Sequence, residues 1–481
     1  MTPEEFSEKL NEIHKKKCES ATLEIKTAAK GCPKRLYDTL SAFSNQDDGG
    51  VIVFGVDEDA GYLEQGVYDA QDLQKRINEQ CLQMEPIVRP LLTVVEKDGK
   101  NFVAAEIPGM DIAERPCYYK GQGRVRGSYV RVGDSDEPMT EYEVYSYEAF
   151  RRKYQDDVRE VPRATPAMLD SEKVKEYIAL LKEGKPNLAN LGDPEIRELM
   201  SITRMETVTL NACILFCPYP QAFFPQLCIT AVVIPGKELG EVNDQGARFI
   251  DNRRIEGSIP QMLDGALTFL KRNMKKMTII NARTGLREDR TEYPITAVRE
   301  AVLNALVHRD YSIHTEGMPI QIRMFEDRLE IRSPGGIYGR LRVNQLGKVQ
   351  PDTRNPVLAA ALETLGVTEN RYSGIPTMRR ELREYGLREP EFTDNRNEFC
   401  VCFYNAGSGD AEREAKEMQR AEEDLIAFCR TPRSRKEICD YLGLSSSAYA
   451  MKKHVQPLID AGAIHMTMPE KPRSAKQKYY S

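Results

Sequence analysis

Three carboxylates and a lysine near the N-terminus have the composition of a phosphodiester site. Glu19, Glu24 and Lys26 form an E…E-x-K group, and Asp57 closes the apolar run Val51 to Val56. On an extended strand, Glu24 and Lys26 share one side while Leu23 and Ile25 turn to the core. Glu19, Glu24 and Asp57 are the residue types that hold Mg²⁺ or Mn²⁺, and Lys26 would steady charge developing on a phosphate. A solvated strand face carrying a Glu–Lys pair has the same spelling. On that polar face, replacing Glu24 is expected to cost under about half a kcal/mol. Further along, "PITAVREAVLNALVHRDY" reads as a helix apolar on all sides, hence buried. Glu300 and Asn304, one turn apart, are then buried polar groups needing partners. They fit a glutamate activating water beside an asparagine holding Mg²⁺, or a structural hydrogen-bond network.

A second set of residues has the chemistry of nucleic-acid contact. Tyr118, Tyr119, Lys120, Arg124, Arg126, Tyr129 and Arg131 lie close in sequence. Arginines contact phosphates and tyrosines stack on bases, so Lys120, Arg124, Arg126 and Arg131 are candidate contacts; a polar hairpin is the bland alternative. Gly121, Gly123 and Gly127 are not a dinucleotide loop, because a strand pattern rather than a helix follows them. At the other end, 435–442 reads as a helix, Gly443-Leu444-Ser445 as a turn and 446–461 as a second helix, followed by a basic hairpin. That is the winged helix-turn-helix pattern. Tyr449, Lys452 and Lys453 are expected on its recognition helix, and Lys471, Arg473, Lys476 and Lys478 on its wing. From Arg430 onward there are ten Lys/Arg against four Asp/Glu, while the whole chain carries a net −6. A basic tail on an acidic body points to a local polyanion site.

The elements that must position these groups divide the chain. Its 481 residues fit about three domains of ordinary size. With 41% hydrophobic residues it has enough apolar material for several cores. Thr2-Pro3-Glu4-Glu5 is a capping-box helix start. Strands are expected at 23–26 and 51–56, helices at about 33–43 and 69–84, and strands and hairpins over 91–132. The charged stretch 151–166 reads as a linker, and 405–410 as a flexible boundary. The uncharged run 207–236 is interrupted by Pro218, Pro220 and Pro225, so it reads as a buried helix then a strand, not a membrane span. Eleven cysteines without a C-x-x-C pair, and five scattered histidines, give no zinc spacing and imply a reducing compartment. No signal peptide is read at the acidic N-terminus, so a cytoplasmic protein with no membrane association is expected.

"ESATLEIK" and "TLSAFSNQDDGGVIVFGVDED" resemble the Schlafen/AlbA-type DNA-binding domain over roughly 18–144. In Schlafen nucleases two glutamates and an aspartate cut RNA with a divalent metal, and Glu19, Glu24 and Asp57 fall on those positions. The later segments "DRLEIRSPGGI", "RNPVLAAAL" and "ENRYSGIPTM", with the helix above, resemble a GHKL-type ATPase, in the divergent form likened to the C-terminal part of a RecG-type helicase. The resemblance spans about 200–405. It implies ATP binding by Glu300 and Asn304 of the E-x-x-x-N box and by Gly335, Gly336 and Gly374. The adenine-reading aspartate of that family is replaced by Ser333-Pro334-Gly335-Gly336, which implies little turnover. No Walker motif is present, so a helicase motor is excluded.

The expected architecture is α+β multidomain. It comprises a Schlafen/AlbA-type α+β domain (1–150), a linker and middle α/β region (151–285), a GHKL-like α/β sandwich (286–405) and a C-terminal winged helix-turn-helix (411–481). The expected function is a DNA-binding transcriptional regulator responsive to a nucleotide, with duplex DNA as first partner, RNA as second, and self-association into a homo-oligomer. A Mg²⁺- or Mn²⁺-dependent nuclease acting on tRNA-like RNA, and a non-catalytic assembly protein, are the alternatives.

Overall fold

The computed structural model describes residues 1–280, 287–368, 373–406, 425–426, 428–442, 451, 455, 458–459, 464–468 and 477–481. They form two compact units: 1–385 with 389–403, and 386–388 with 404–481.

The N-terminal part of the first unit begins with α1 (Pro3–Lys16), whose Thr2–Glu5 capping box forms as the sequence predicts. A four-stranded sheet follows, in the order β1 (Leu23–Lys26), β2 (Gly50–Phe54), β4 (Lys100–Ile107), β3 (Leu91–Lys97). β1 and β2 are parallel, and the other pairs are antiparallel. Period-two alternation sends Val53 and Ile25 to one face, where Phe6, Leu10 and Ile13 of α1 cover them. Ile52 and Phe54 turn to the opposite face, under α2 (Tyr37–Ser44) and α3 (Ala70–Cys81). Beyond the sheet, the expected polar hairpin contains a short helix, α4 (Gly123–Gly127). The ribbon β5 (Tyr129–Val132) and β6 (Ser135–Pro138) and the capped helix α5 (Glu141–Arg152) complete this part.

The stretch read as a linker is not solvated throughout. Asp157 is fully buried, and its Oδ2 accepts the Val357 and Leu358 amides at 3.0 Å each. It thereby satisfies orphan donors at the start of α10 (Pro356–Thr364). Burial pushes its carboxyl up to about 6.

The rest of the first unit is built on a six-stranded mixed sheet. Its order is β8 (Asp251–Ile255), β7 (Ile229–Val233), β9 (Ile320–Met324), β10 (Arg328–Pro334), β12 (Glu398–Tyr404), β11 (Glu391–Asp394). The run 207–236 is the expected buried helix, α7 (Leu210–Phe216, after α6 at Ser171–Gly184), then β7. Helix α8 (Ile259–Asn273) packs on β7 and β8. Helix α9 (Ile295–Val307) packs on β10 and between α8 and α11 (Gly374–Glu384). This is the α+β architecture the sequence predicts.

In the second unit, β13 (Arg433–Ser434), β14 (His465–Met466) and β15 (Lys478–Tyr480) form a sheet with β15 in the centre, beside α12 (Arg435–Leu442). Leu425, Cys429, Ile438, Val455, Leu458, Ile464 and Tyr479 make its core. No helix among the described residues is long and apolar enough to cross a membrane.

Candidate functional site

β1 does place Glu24 and Lys26 on one side, and they pair. That side is not solvated: Glu24 is 5% exposed. The reason is Arg131, which β5 delivers onto the same face with a side chain only 1% exposed. Its Nη2 lies 2.7 Å from Glu24 Oε2 and 3.8 Å from Glu19 Oε2, and Nη1 lies 2.9 Å from Asp136 Oδ1. The guanidinium also donates to the Ser20 and Leu23 carbonyls and lies over the Phe43 ring. Thr39 donates to the other Asp136 oxygen at 2.6 Å. Arg131 is therefore enclosed in an ion-pair network and is not presented to a nucleic acid.

Glu19 spends one oxygen on the Ile25 amide at 2.7 Å. Burial, with the Glu24 and Glu58 charges, pushes its carboxyl up to about 7 against that hydrogen bond. Asp57 is occupied elsewhere, accepting from Gln65 Nε2 at 2.7 Å and from the Ala60 amide. Among the described residues no three His, Cys, Asp or Glu side chains converge as a metal-holding group. The donor set does not fit a divalent cation: Arg131 and Lys26 already supply the positive charge, and Asp57 is turned to its own loop.

Of the basic candidates, Arg126 is exposed. Lys120 is 3.4 Å from Glu85 with much of its side chain in solvent, and Arg124 pairs with Glu148 and lies over Tyr118. Tyr119 stacks on Tyr37 at 3.8 Å between centroids, a partner on α2 that the sequence reading missed. Tyr129 is buried, with its hydroxyl accepting from Arg35. Lys478 is exposed on β15. Tyr449, Lys452, Lys453, Lys471, Arg473 and Lys476 lie outside the described residues.

The second constellation comes together around a cavity of about 170 Å³. Asn304 and His308 line it from α9, Ser333 from β10, Gly335 and Gly336 from the following loop, and Gly374 from the start of α11. Apolar side chains such as Ile331, Ile337, Met378 and Phe399 form the walls. Glu300 and Asn304 are partly exposed rather than buried, and α11 approaches α9 closely here at a glycine. A Cβ on Gly374 would stand 3.0 Å from Glu300 Oε2 and 3.1 Å from Asn304 Nδ2. Glu300, Asn304, Gly335, Gly336 and Gly374 are thus gathered in one place.

The cavity also has residues the sequence reading did not single out. Arg354 lines the cavity and is 8% exposed; its Nη2 donates to Gly336 O at 3.0 Å, and Nη1 is buried without a hydrogen bond. Asp310 holds that Nη1 by charge at 3.5 Å. The close fit needs the left-handed glycine at 335 (φ +93°), where a Cβ would stand 2.1 Å from Arg354 Nη1. His308 lines the cavity and is exposed there, and the surrounding protein with the Arg354 charge pushes its ring below its ordinary value. The signal was present in "HRDY" directly after the helix and in "RNP", but neither spelling states that the two meet.

Family comparisons agree with this domain composition. Residues 19–140 match the family described as "Schlafen, AlbA_2". Residues 317–403 match "Putative ATP-dependent DNA helicase recG C-terminal", a match that begins after α9. Residues 423–480 match "Filamentation induced by cAMP protein Fic-like, C-terminal domain". The chain is thus a multidomain α+β protein of a nucleic-acid-related class, with a Schlafen/AlbA_2 domain and an ATPase-like domain. Among solved structures it is similar to the DIP2311 protein from Corynebacterium diphtheriae, at 20% identity over 91% of this chain and 88% of that one, with a TM-score of 0.40. It is also similar to the N-terminal domain of a "Putative ATP-dependent DNA Helicase RecG-related Protein" from Nitrosomonas europaea, at 28% identity over 29% of this chain and 94% of that one, with a TM-score of 0.24. No curated protein matches the chain.

Proposed function

We propose that the protein is a DNA-binding transcriptional regulator whose state responds to a nucleotide held in the α9–α11 cavity. The observation that carries this reading is the gathering of Asn304 and three glycines around one largely apolar pocket, with Glu300 beside Gly374, within an ATPase-like fold. Asn304 would hold Mg²⁺ on the phosphates, and the apolar walls would take the base. Without the adenine aspartate, binding is weak and turnover slow.

DNA contact is assigned to the C-terminal unit and to the Lys120–Arg126 surface. The C-terminal sheet order supports a winged helix: the strand before α12 pairs with the last strand, which also pairs with the strand preceding it. The basic excess of the tail supports duplex contact. Two measurements test the reading. Calorimetry with MgADP and MgATP should show binding, and no heat at millimolar nucleotide removes the nucleotide half. Anisotropy with duplex DNA over a salt series should show the slope falling by about one to two units on Lys452→Ala with Lys453→Ala. An unchanged slope removes the assignment of that helix.

A further inference from the structure

The cavity and the N-terminal Schlafen/AlbA_2 part share one carboxylate oxygen. Asp310 Oδ2 takes the Arg354 charge from the cavity side at 3.5 Å. The same oxygen accepts the Tyr142 hydroxyl of α5 at 2.6 Å. Asp310 is 4% exposed, and its Oδ1 is already committed to the Ser312 amide at 2.8 Å. Oδ2 is therefore divided between a residue that lines the cavity and a residue that seats α5. Other contacts tie the same surfaces together. Glu143 of α5 pairs with Arg396 at 2.7 Å, and Phe150 lies edge-on to Tyr338, which lines the cavity. The loop carrying Tyr338 continues to Arg340 and Arg342, which pair with Asp111 at 3.2 Å and Asp47 at 2.8 Å.

We infer that Tyr142 is a positioning residue for the cavity's ligand, acting through Asp310 on Arg354, so that nucleotide binding and the seating of α5 favour each other. The sign follows from the shared oxygen. Arg354 Nη1 is buried without a hydrogen bond, so a ligand that offers an acceptor gives it one and draws it from Asp310. Oδ2 is then left to Tyr142, whose bond to a freed carboxylate strengthens. Conversely, Tyr142 takes up part of the Oδ2 charge and loosens its hold on Arg354. Two distinct sites thus bias one element, and linkage makes the effect reciprocal.

This rests on the nucleotide reading above, and the experiment separates the two. MgADP affinity is measured by calorimetry on the full chain for the wild type, Tyr142→Phe and Tyr145→Phe. Tyr145 is on the same helix but donates to Asp156 instead, at 2.9 Å. Tyr142→Phe is expected to weaken MgADP about tenfold, within the usual range of linkage between sites. Tyr145→Phe is expected to leave it unchanged. Hydrogen exchange should show α5 amides gaining protection with MgADP in the wild type and not in Tyr142→Phe. If the wild type binds no nucleotide, both the reading and this inference fall. If it binds and Tyr142→Phe binds equally well, the reading stands and the inference is overturned. Equal weakening by both variants overturns the route through Asp310.

Discussion

Replacing Arg131 with methionine tests whether the N-terminal carboxylates form a closed structural network. Methionine keeps volume and apolar contact with Phe43 but removes the charge. Glu24 would retain Lys26, whereas Asp136 would keep only the Thr39 hydroxyl. Breaking a buried pair by removing one partner costs about 3–5 kcal/mol, and the surviving Lys26 contact places this case near the lower end, about 3 kcal/mol. The chain has no tryptophan, so a fluorescence transition would report tyrosines throughout the molecule. Hydrogen exchange of the β1 and β5 amides reads the local stability directly. Adding Asp136→Asn removes the stranded charge and should recover at least half of the loss. A loss below about 1 kcal/mol, the worth of an exposed pair, would refute the reasoning.

Three further outcomes are expected. With Mn²⁺ and mixed tRNA and DNA substrates, cleavage should not exceed a chelated control; metal-dependent cleavage abolished by Glu24→Ala would reinstate the nuclease. Glu19→Gln should stabilise the protein at pH 8 and not at pH 5, read by denaturant unfolding. The folded carboxyl titrates near 7, above its ordinary 4.5, so the folded state binds more protons in between and the wild type loses stability as pH rises through that window. A difference independent of pH would contradict this. Gly335→Ala should cost about 1–3 kcal/mol through the strained backbone, with added loss from the collision with Arg354. A neutral substitution would mean that the loop relaxes freely.

The sequence alone determined the elements and much of the composition of both sites. Period-two alternation marked β1, the Thr2–Glu5 box marked α1, and three prolines divided 207–236 into helix and strand, because these signals act over a few residues. It also placed Glu300 and Asn304 on one helix face and Glu24 beside Lys26. What only the tertiary structure decided was which face water reaches and which distant group arrives there. Arg131 comes from more than a hundred positions away in the chain and turns an apparently solvated strand face into a buried ion network. Glu300 and Asn304 go the opposite way: the all-apolar helix pattern predicts them buried, and the packing leaves them partly exposed beside the glycine of α11. Tyr142, Asp310 and Arg354 belong to three separate segments. Their meeting on one carboxylate oxygen follows from how α5 and the segments just after α9 and just before α10 come together, and local pattern holds no record of that packing.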